Sequence, residues 1–226
     1  MQFQELPTGK TVQGKVINWF KTKDLAKRYI YLLAGVHGDE IEGVHVLKEL
    51  FKWLQNEHLQ HVPVVVIPVL NVDGLEVKTR VNARGVDLNR NLPINWSVDH
   101  TEPRYYPGPH PLSEPENLFL TKCFEQFPPG FILSFHTWKP MLNYNGNCEQ
   151  VAQFLHQHNG YPVVGIIENY PTPGSLGEFA PTALSSPVLT FECPSTEEKT
   201  LTEIWQENEP GLKALFHSPL LFSFIN

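Results

Sequence analysis

Three side chains in this sequence have the types and spacing of a metal-binding set. In AGVHGDE, His37 and Glu40 stand three residues apart, where an apolar run gives way to a helical pattern. A turn at such a boundary can aim an imidazole nitrogen and a carboxylate oxygen at one point. That pair suits a borderline-soft divalent cation, and catalytic zinc sites commonly combine two histidines, a glutamate and one open position. The third donor must come from elsewhere, and His136, which closes the strand-like FILSFH, is well placed. Taken alone H-x-x-E is a weak signal. A histidine at a helix start followed by a surface glutamate is the plain alternative.

The elements that must carry these groups follow from hydrophobic periodicity. KVINWF (15–20) has strand character, and YIYLLAG with the Val36 that follows is a continuous apolar run, as in a strand buried on both faces. Across 40–54 the residues Ile41, Val44, Leu47, Leu50, Phe51 and Leu54 recur at helical spacing. VPVVVIPVL (62–70) predicts a second buried strand, closed by the turn signal NVDG (71–74). The stretch 82–110 has no period and is rich in Asn, Pro, Arg and Gly; so long an irregular segment in a compact domain is usually functional or disordered. SEPE (113–116) predicts a helix start with Ser113 as N-cap and Glu116 three residues on. FILSFH (131–136), VVGII (163–167) and PVLTFE (187–192) are further strands, GNCEQVAQFLHQHNG (146–160) is a helix, and a last helix runs from about 201 to 216. Strands alternating with helices predict an α/β layered fold, one domain over 1–226, with the chemistry at strand ends and in loops.

Composition narrows the classes. The chain has 226 residues, 41% apolar and 18% charged, in the range of an ordinary globular domain. Seventeen Lys and Arg against 24 Asp and Glu give a net charge of −7, and no basic run suggests a phosphate-binding surface, so a nucleic-acid partner is not expected. Three irregularly spaced cysteines (Cys123, Cys148, Cys193) argue against a disulfide framework and for a reducing compartment. The N-terminal residues lack a signal-peptide core, and the longest apolar stretch, 62–70, is too short to span a bilayer. A cytoplasmic location and no membrane partner are the expectation. A homo-oligomer is compatible with the sequence, which does not specify it.

NVDGLEVKTRVNARGVDLNRN (71–91) resembles the segment that follows the first ligand pair in zinc carboxypeptidases of the carboxypeptidase A superfamily. Within it, N-A-R-G-V-D-L-N-R-N is similar to the bacterial murein peptide amidase-like branch, as are GKTVQGKVI (9–17) and YPTPGSLGEFA (170–180). The resemblance covers nearly the whole chain, in the right order. It implies a mixed β-sheet sandwiched between helices and one Zn²⁺ per chain on His37, Glu40 and His136.

The resemblance also implies roles. Asp87 would accept a hydrogen bond from the His37 ring, fixing its tautomer. Arg80 would polarise the scissile carbonyl, and Asn89 with Arg90 would grip a terminal carboxylate, a task suited to a planar guanidinium. Glu192, ending TFE, would be the general base that takes a proton from water and delivers one to the leaving amine. Without the family, Asp87 reads as a turn aspartate, Glu192 as the residue after a strand, and Arg80, Arg84 and Arg90 as solvated loop arginines. One departure is that Ala180 stands where many carboxypeptidases carry a tyrosine, leaving Tyr144 or Tyr170 as substitutes. Glu178 sits in a stretch that forms part of the family's substrate wall, and is assigned to the distal ammonium of the substrate, against the plain reading of a solvated loop glutamate.

The implied activity is removal of the C-terminal residue of a short peptide, with the bond between γ-D-glutamate and meso-diaminopimelate in cell-wall peptides as the substrate of this branch. One rival is an N-acyl amino acid deacylase resembling succinylglutamate desuccinylase or aspartoacylase, which share H-G-x-E and D-L-N-R patterns. Another is a catalytically silent binding protein for peptidoglycan fragments. The histidines at 45, 58, 61, 100, 110, 156 and 158 follow no ligand spacing. Cys193 lacks an adjacent histidine to make a nucleophile pair. Trp138 and Phe179 are read as pocket lining or ordinary core.

Overall fold

The computed structural model describes residues 1–59, 62–168 and 170–225; His61 lies outside them. In chain order the strands are β1 (Phe3–Glu5), β2 (Gly9–Lys10), β3 (Val16–Ile17), β4 (Phe20–Thr22), β5 (Tyr29–Ala34), β6 (Val64–Ile67), β7 (Pro129–Thr137), β8 (Met141–Asn145), β9 (Val163–Val164) and β10 (Val188–Cys193). The helices are α1 (Ile41–Asn56), α2 (Val72–Val77), α3 (Pro115–Gln126), α4 (Glu149–Asn159), α5 (Leu176–Ala183) and α6 (Leu201–His217).

Eight strands form one mixed sheet in the order β1-β4-β6-β5-β7-β10-β8-β9, while β2 and β3 pair separately. The four middle strands β6, β5, β7 and β10 run parallel, flanked by the antiparallel β4 and β8. That explains their near-continuous apolar sequences, since both faces of a parallel sheet are covered. Alternate residues divide between two cores. Ile30, Leu32, Val64, Val66, Leu133 and Phe191 pack under α1, α4 and α6. Tyr31, Leu33, Val65, Ile67, Ile132 and Val188 face α3, α5 and the segment around Leu88 and Leu92.

This is the expected α/β sandwich, with several local corrections. KVINWF is two strands in two different sheets, broken at residues 18 and 19. NVDG does not form a simple turn: Asn71 caps α2 by accepting from the Gly74 N–H at 2.9 Å. Helix α3 begins one residue later than expected, with Glu114 at the cap and Pro115 in the first turn, where its missing N–H costs nothing. Ser113 Oγ instead donates to Glu114 Oε1 at 2.7 Å. Only Val163 and Val164 of VVGII are strand. The 82–110 stretch is irregular apart from two short 3₁₀ turns, Leu88–Arg90 and Pro103–Tyr105. Sequence periodicity did not reveal β8, which pairs antiparallel with β10, or α5.

Candidate metal centre and active-site cleft

Parallel strands deliver their C-terminal ends to one edge of a sheet, the usual place for ligands in such folds. His37 follows β5, while His136 and Glu192 end β7 and β10. His136 and Glu192 are direct register partners, so both side chains leave the same sheet face. On that face Ser134, His136, Thr190 and Glu192 interrupt what would otherwise be core.

Gly38 allows the loop from β5 to α1 to turn where it does. A Cβ at that position would lie 2.0 Å from the Gly74 carbonyl carbon in α2. The Gly38 N–H and the Asn71 side chain both donate to the Arg80 carbonyl, at 3.3 and 3.2 Å. The NVDG stretch therefore locks the first-ligand loop and Arg80 together.

The three expected donors converge. His37 Nδ1 is 2.6 Å from Glu40 Oε1, His136 Nδ1 is 2.8 Å from Glu40 Oε2, and the two Nδ1 atoms are 3.3 Å apart. Two imidazole nitrogens facing one carboxylate, all buried, form a donor set that a divalent cation fits. Burial opposes ionisation of Glu40, but His37 and His136 hold its carboxyl well below the usual range. Burial and Arg80 push His37 down, and Glu40 and Asp87 outweigh them and leave it raised.

Behind the donors, His37 Nε2 lies 3.2 Å from Asp87 Oδ1. Asp87 Oδ2 accepts from Arg80, at 3.0 Å from Nε and 2.9 Å from a terminal nitrogen. The Asn89 N–H also bonds Asp87 Oδ1, at 2.8 Å, closing the 3₁₀ turn that carries Asn89 and Arg90. Although burial works against its charge, Asp87 is held well below the carboxylate range by His37 and the arginines. Asn89 Oδ1 accepts from the Leu176 N–H at 2.9 Å, joining this turn to the start of α5. Gly174, at φ +70°, passes the Arg90 carbonyl, 2.2 Å from where a Cβ would stand; this is the structural content of TPGSLG.

These groups line a cleft of about 470 Å³ that includes His37, Glu40, Arg80, Asn89, Arg90 and Glu192. Glu192 is nearly buried and one carboxylate oxygen has no partner among the described residues. Burial first, and the Glu40 charge second, raise its carboxyl to about 8.

Glu178 is not brought into this cleft: its carboxylate accepts from Asn95 Nδ2 at 2.8 Å. Ala180 is fully buried in α5. Of the two tyrosines considered in its place, Tyr170 lines the cleft and Tyr144 does not. Trp138 lines it too, while Phe179 belongs to the core. Cys193 is buried and its thiol pushed well up, chiefly by burial. Ser134, 3.0 Å from His136 Nε2, was missed; its signal was its place two residues before a strand histidine, hence on the same face. Glu42 was missed as well, and its carboxylate accepts from the Thr196 N–H at 2.7 Å.

Residues 4–159 match the zinc carboxypeptidase family model. The chain belongs to the zinc carboxypeptidase family, and its class is that of a zinc-dependent metallopeptidase. Among its relatives, murein peptide amidase A of Escherichia coli K12 is 30% identical over 207 residues, covering 86% of this chain and 83% of the relative. The Vibrio campbellii protein of the same name is 30% identical over 198 residues, covering 82% and 77%. The crystal structure of murein-tripeptide amidase from E. coli O157 superposes with a TM-score of 0.78 at 26% identity, over 93% of this chain and 90% of the other. Carboxypeptidase A of Helicoverpa armigera shares the fold, with a TM-score of 0.82 at 17% identity over 98% and 69%. No helix among the described residues is long and apolar enough to cross a membrane.

Proposed function

We propose that this chain hydrolyses the C-terminal amide bond of short murein-derived peptides, between γ-D-glutamate and meso-diaminopimelate, with 1–226 acting as one catalytic unit. The observation that carries the reading is the buried His37–Glu40–His136 set facing Glu192 across one cleft. The substrate follows the murein peptide amidases, which match over most of both chains. When bound by His37, Glu40 and His136, zinc supplies a Lewis acid that polarises the scissile carbonyl and makes water nucleophilic near neutral pH.

The remaining steps belong to the protein's own groups. Glu192 takes the proton from water as the carbonyl carbon is attacked, then passes it to the amine as the C–N bond breaks; such a positioned group contributes about 10²–10⁴-fold. Arg80 donates to the carbonyl oxygen as negative charge develops there. The Asn89 amide and the Arg90 guanidinium hold the terminal carboxylate, which fixes the scissile bond over the donor set. Asp87 keeps the His37 ring and Arg80 in register with each other. The free, buried cysteines fit action in the cytoplasm.

A panel of short peptides and N-acyl amino acids tests this. Release of a C-terminal residue from peptides, with N-acyl amino acids untouched, is the expected outcome. Turnover of N-acyl amino acids alone would make the chain a deacylase.

A further inference from the structure

Arg104 has no role in the mechanism above, yet it lines the same cleft. The guanidinium carbons of Arg80, Arg90 and Arg104 lie 5.2, 5.6 and 5.4 Å from the centroid of one ring, that of Tyr105. Three cations gathered on one aromatic ring need anions nearby. Arg80 has them in Asp87, at 2.9 Å, and Glu40, at 3.6 Å. The other two make no such ion pair, and Arg90 has only the longer-range pull of Asp87. Among the described residues no carboxylate is in ion-pair reach of Arg90 or Arg104. Arg90, only 6% exposed, spends one donor on the Asn89 carbonyl at 2.7 Å. The Arg104 side chain makes no hydrogen bond among the described residues.

The arginine is also presented from an ordered turn. Pro103 opens the 3₁₀ turn, the Tyr106 N–H closes it onto the Pro103 carbonyl at 3.1 Å, and Tyr105 is tied by its hydroxyl to that of Tyr170 at 3.2 Å. Arg90, buried without an ion pair, and Arg104, solvent-exposed on the same wall, leave the cleft able to take two anionic groups, and the terminal carboxylate accounts for only one.

We propose that Arg104 binds a second carboxylate of the same substrate molecule, making it a specificity-determining residue for peptides with two carboxylates near the scissile bond. The proposal rests on the peptidase reading. In a murein-type peptide that carboxylate has two sources: the side-chain end of diaminopimelate in the leaving residue, or the α-carboxylate of the γ-linked D-glutamate in the acyl half. Both offer a planar group that a guanidinium fork can bind through two parallel bonds.

The test uses zinc-loaded wild type, Arg104→Gln and Arg104→Lys with three peptides. These are L-Ala-γ-D-Glu-meso-diaminopimelate, its C-terminal lysine analogue, and its D-isoglutamine analogue, in which the α-carboxylate is an amide. Wild type should prefer the parent over one analogue by about tenfold in kcat/KM, and Arg104→Gln should erase that preference while leaving the other unchanged. Loss of the lysine discrimination identifies the diaminopimelate carboxylate, and loss of the isoglutamine discrimination identifies that of D-glutamate. Arg104→Lys should restore part of the preference, as a point charge without the fork. Both preferences surviving in Arg104→Gln within about twofold would overturn the proposal. Calorimetric binding of the same peptides to zinc-loaded Glu192→Gln, with and without Arg104→Gln, decides the matter independently of turnover. No cleavage by wild type would therefore refute the murein-peptide reading, while the binding difference still judges Arg104.

Discussion

His37 and Asp87 meet at Nε2 and Oδ1 over 3.2 Å, with Asp87 fully buried. The other ring nitrogen of His37 faces Glu40, and the other oxygen of Asp87 faces Arg80. One carboxylate thereby sets the orientation of a metal donor and of the cation beside it. Asp87→Asn keeps the shape and removes the charge that both partners use. Zinc affinity should fall roughly 10- to 100-fold, the usual cost of losing such support. Competition with a chromophoric chelator measures it, and an unchanged affinity would show that His37 is positioned without Asp87.

His136→Ala removes one donor and leaves His37 and Glu40 facing each other. Elemental analysis after gel filtration should find one zinc per chain in wild type and a large deficit in the variant. Full zinc content with activity would remove His136 from the donor set.

Glu192→Gln should retain zinc and peptide binding while kcat drops by two or more orders of magnitude, because an amide cannot accept the proton. Near wild-type kcat would assign the base elsewhere.

The same pair of proteins carries a stability signature when zinc-free. The Glu192 carboxyl is raised from 4.5 to about 8 by burial and by Glu40. For a raised acid, the stabilisation is fully present below about pH 4.5 and is lost as pH climbs through about 8. Zinc-free wild type should match Glu192→Gln near pH 4.5 and become less stable than it by pH 8, by on the order of a few kcal/mol. Urea unfolding of both proteins across that range reads the difference. Parallel pH dependence would mean that Glu192 ionises freely in the fold.

Gly38→Ala places a methyl carbon into the backbone of α2. The first-ligand loop must shift, so stability should fall by about 1–3 kcal/mol and zinc affinity with it. A variant that melts and binds zinc like wild type would show that this approach is not required.

Much of this was readable beforehand where chemistry and periodicity coincide. The buried strands announced themselves because both faces of a parallel sheet are covered; His136 and Glu192 lie at the ends of two of them, and His37 and Glu40 follow a third on the way into α1. Asp87 and Arg80 were legible only through family resemblance, since no local pattern says that two loop residues seven apart will share a bond in three dimensions. Glu178 sits on α5, which sequence periodicity does not reveal: Ser175 caps that helix by accepting from the Glu178 N–H, and the Glu178 carboxylate accepts from Asn95. Arg104 lay in a stretch whose lack of period hides which side chains return to the cleft. The edge strand β8 escaped notice because its sequence, MLNYN, lacks the continuous apolar character of its neighbours.

The most direct test of the account is mass spectrometry of zinc-loaded protein incubated with L-Ala-γ-D-Glu-meso-diaminopimelate, with Glu192→Gln alongside. Free diaminopimelate and L-Ala-D-Glu should appear with wild type and not with the variant. Intact tripeptide in the presence of protein carrying one zinc per chain would contradict the account.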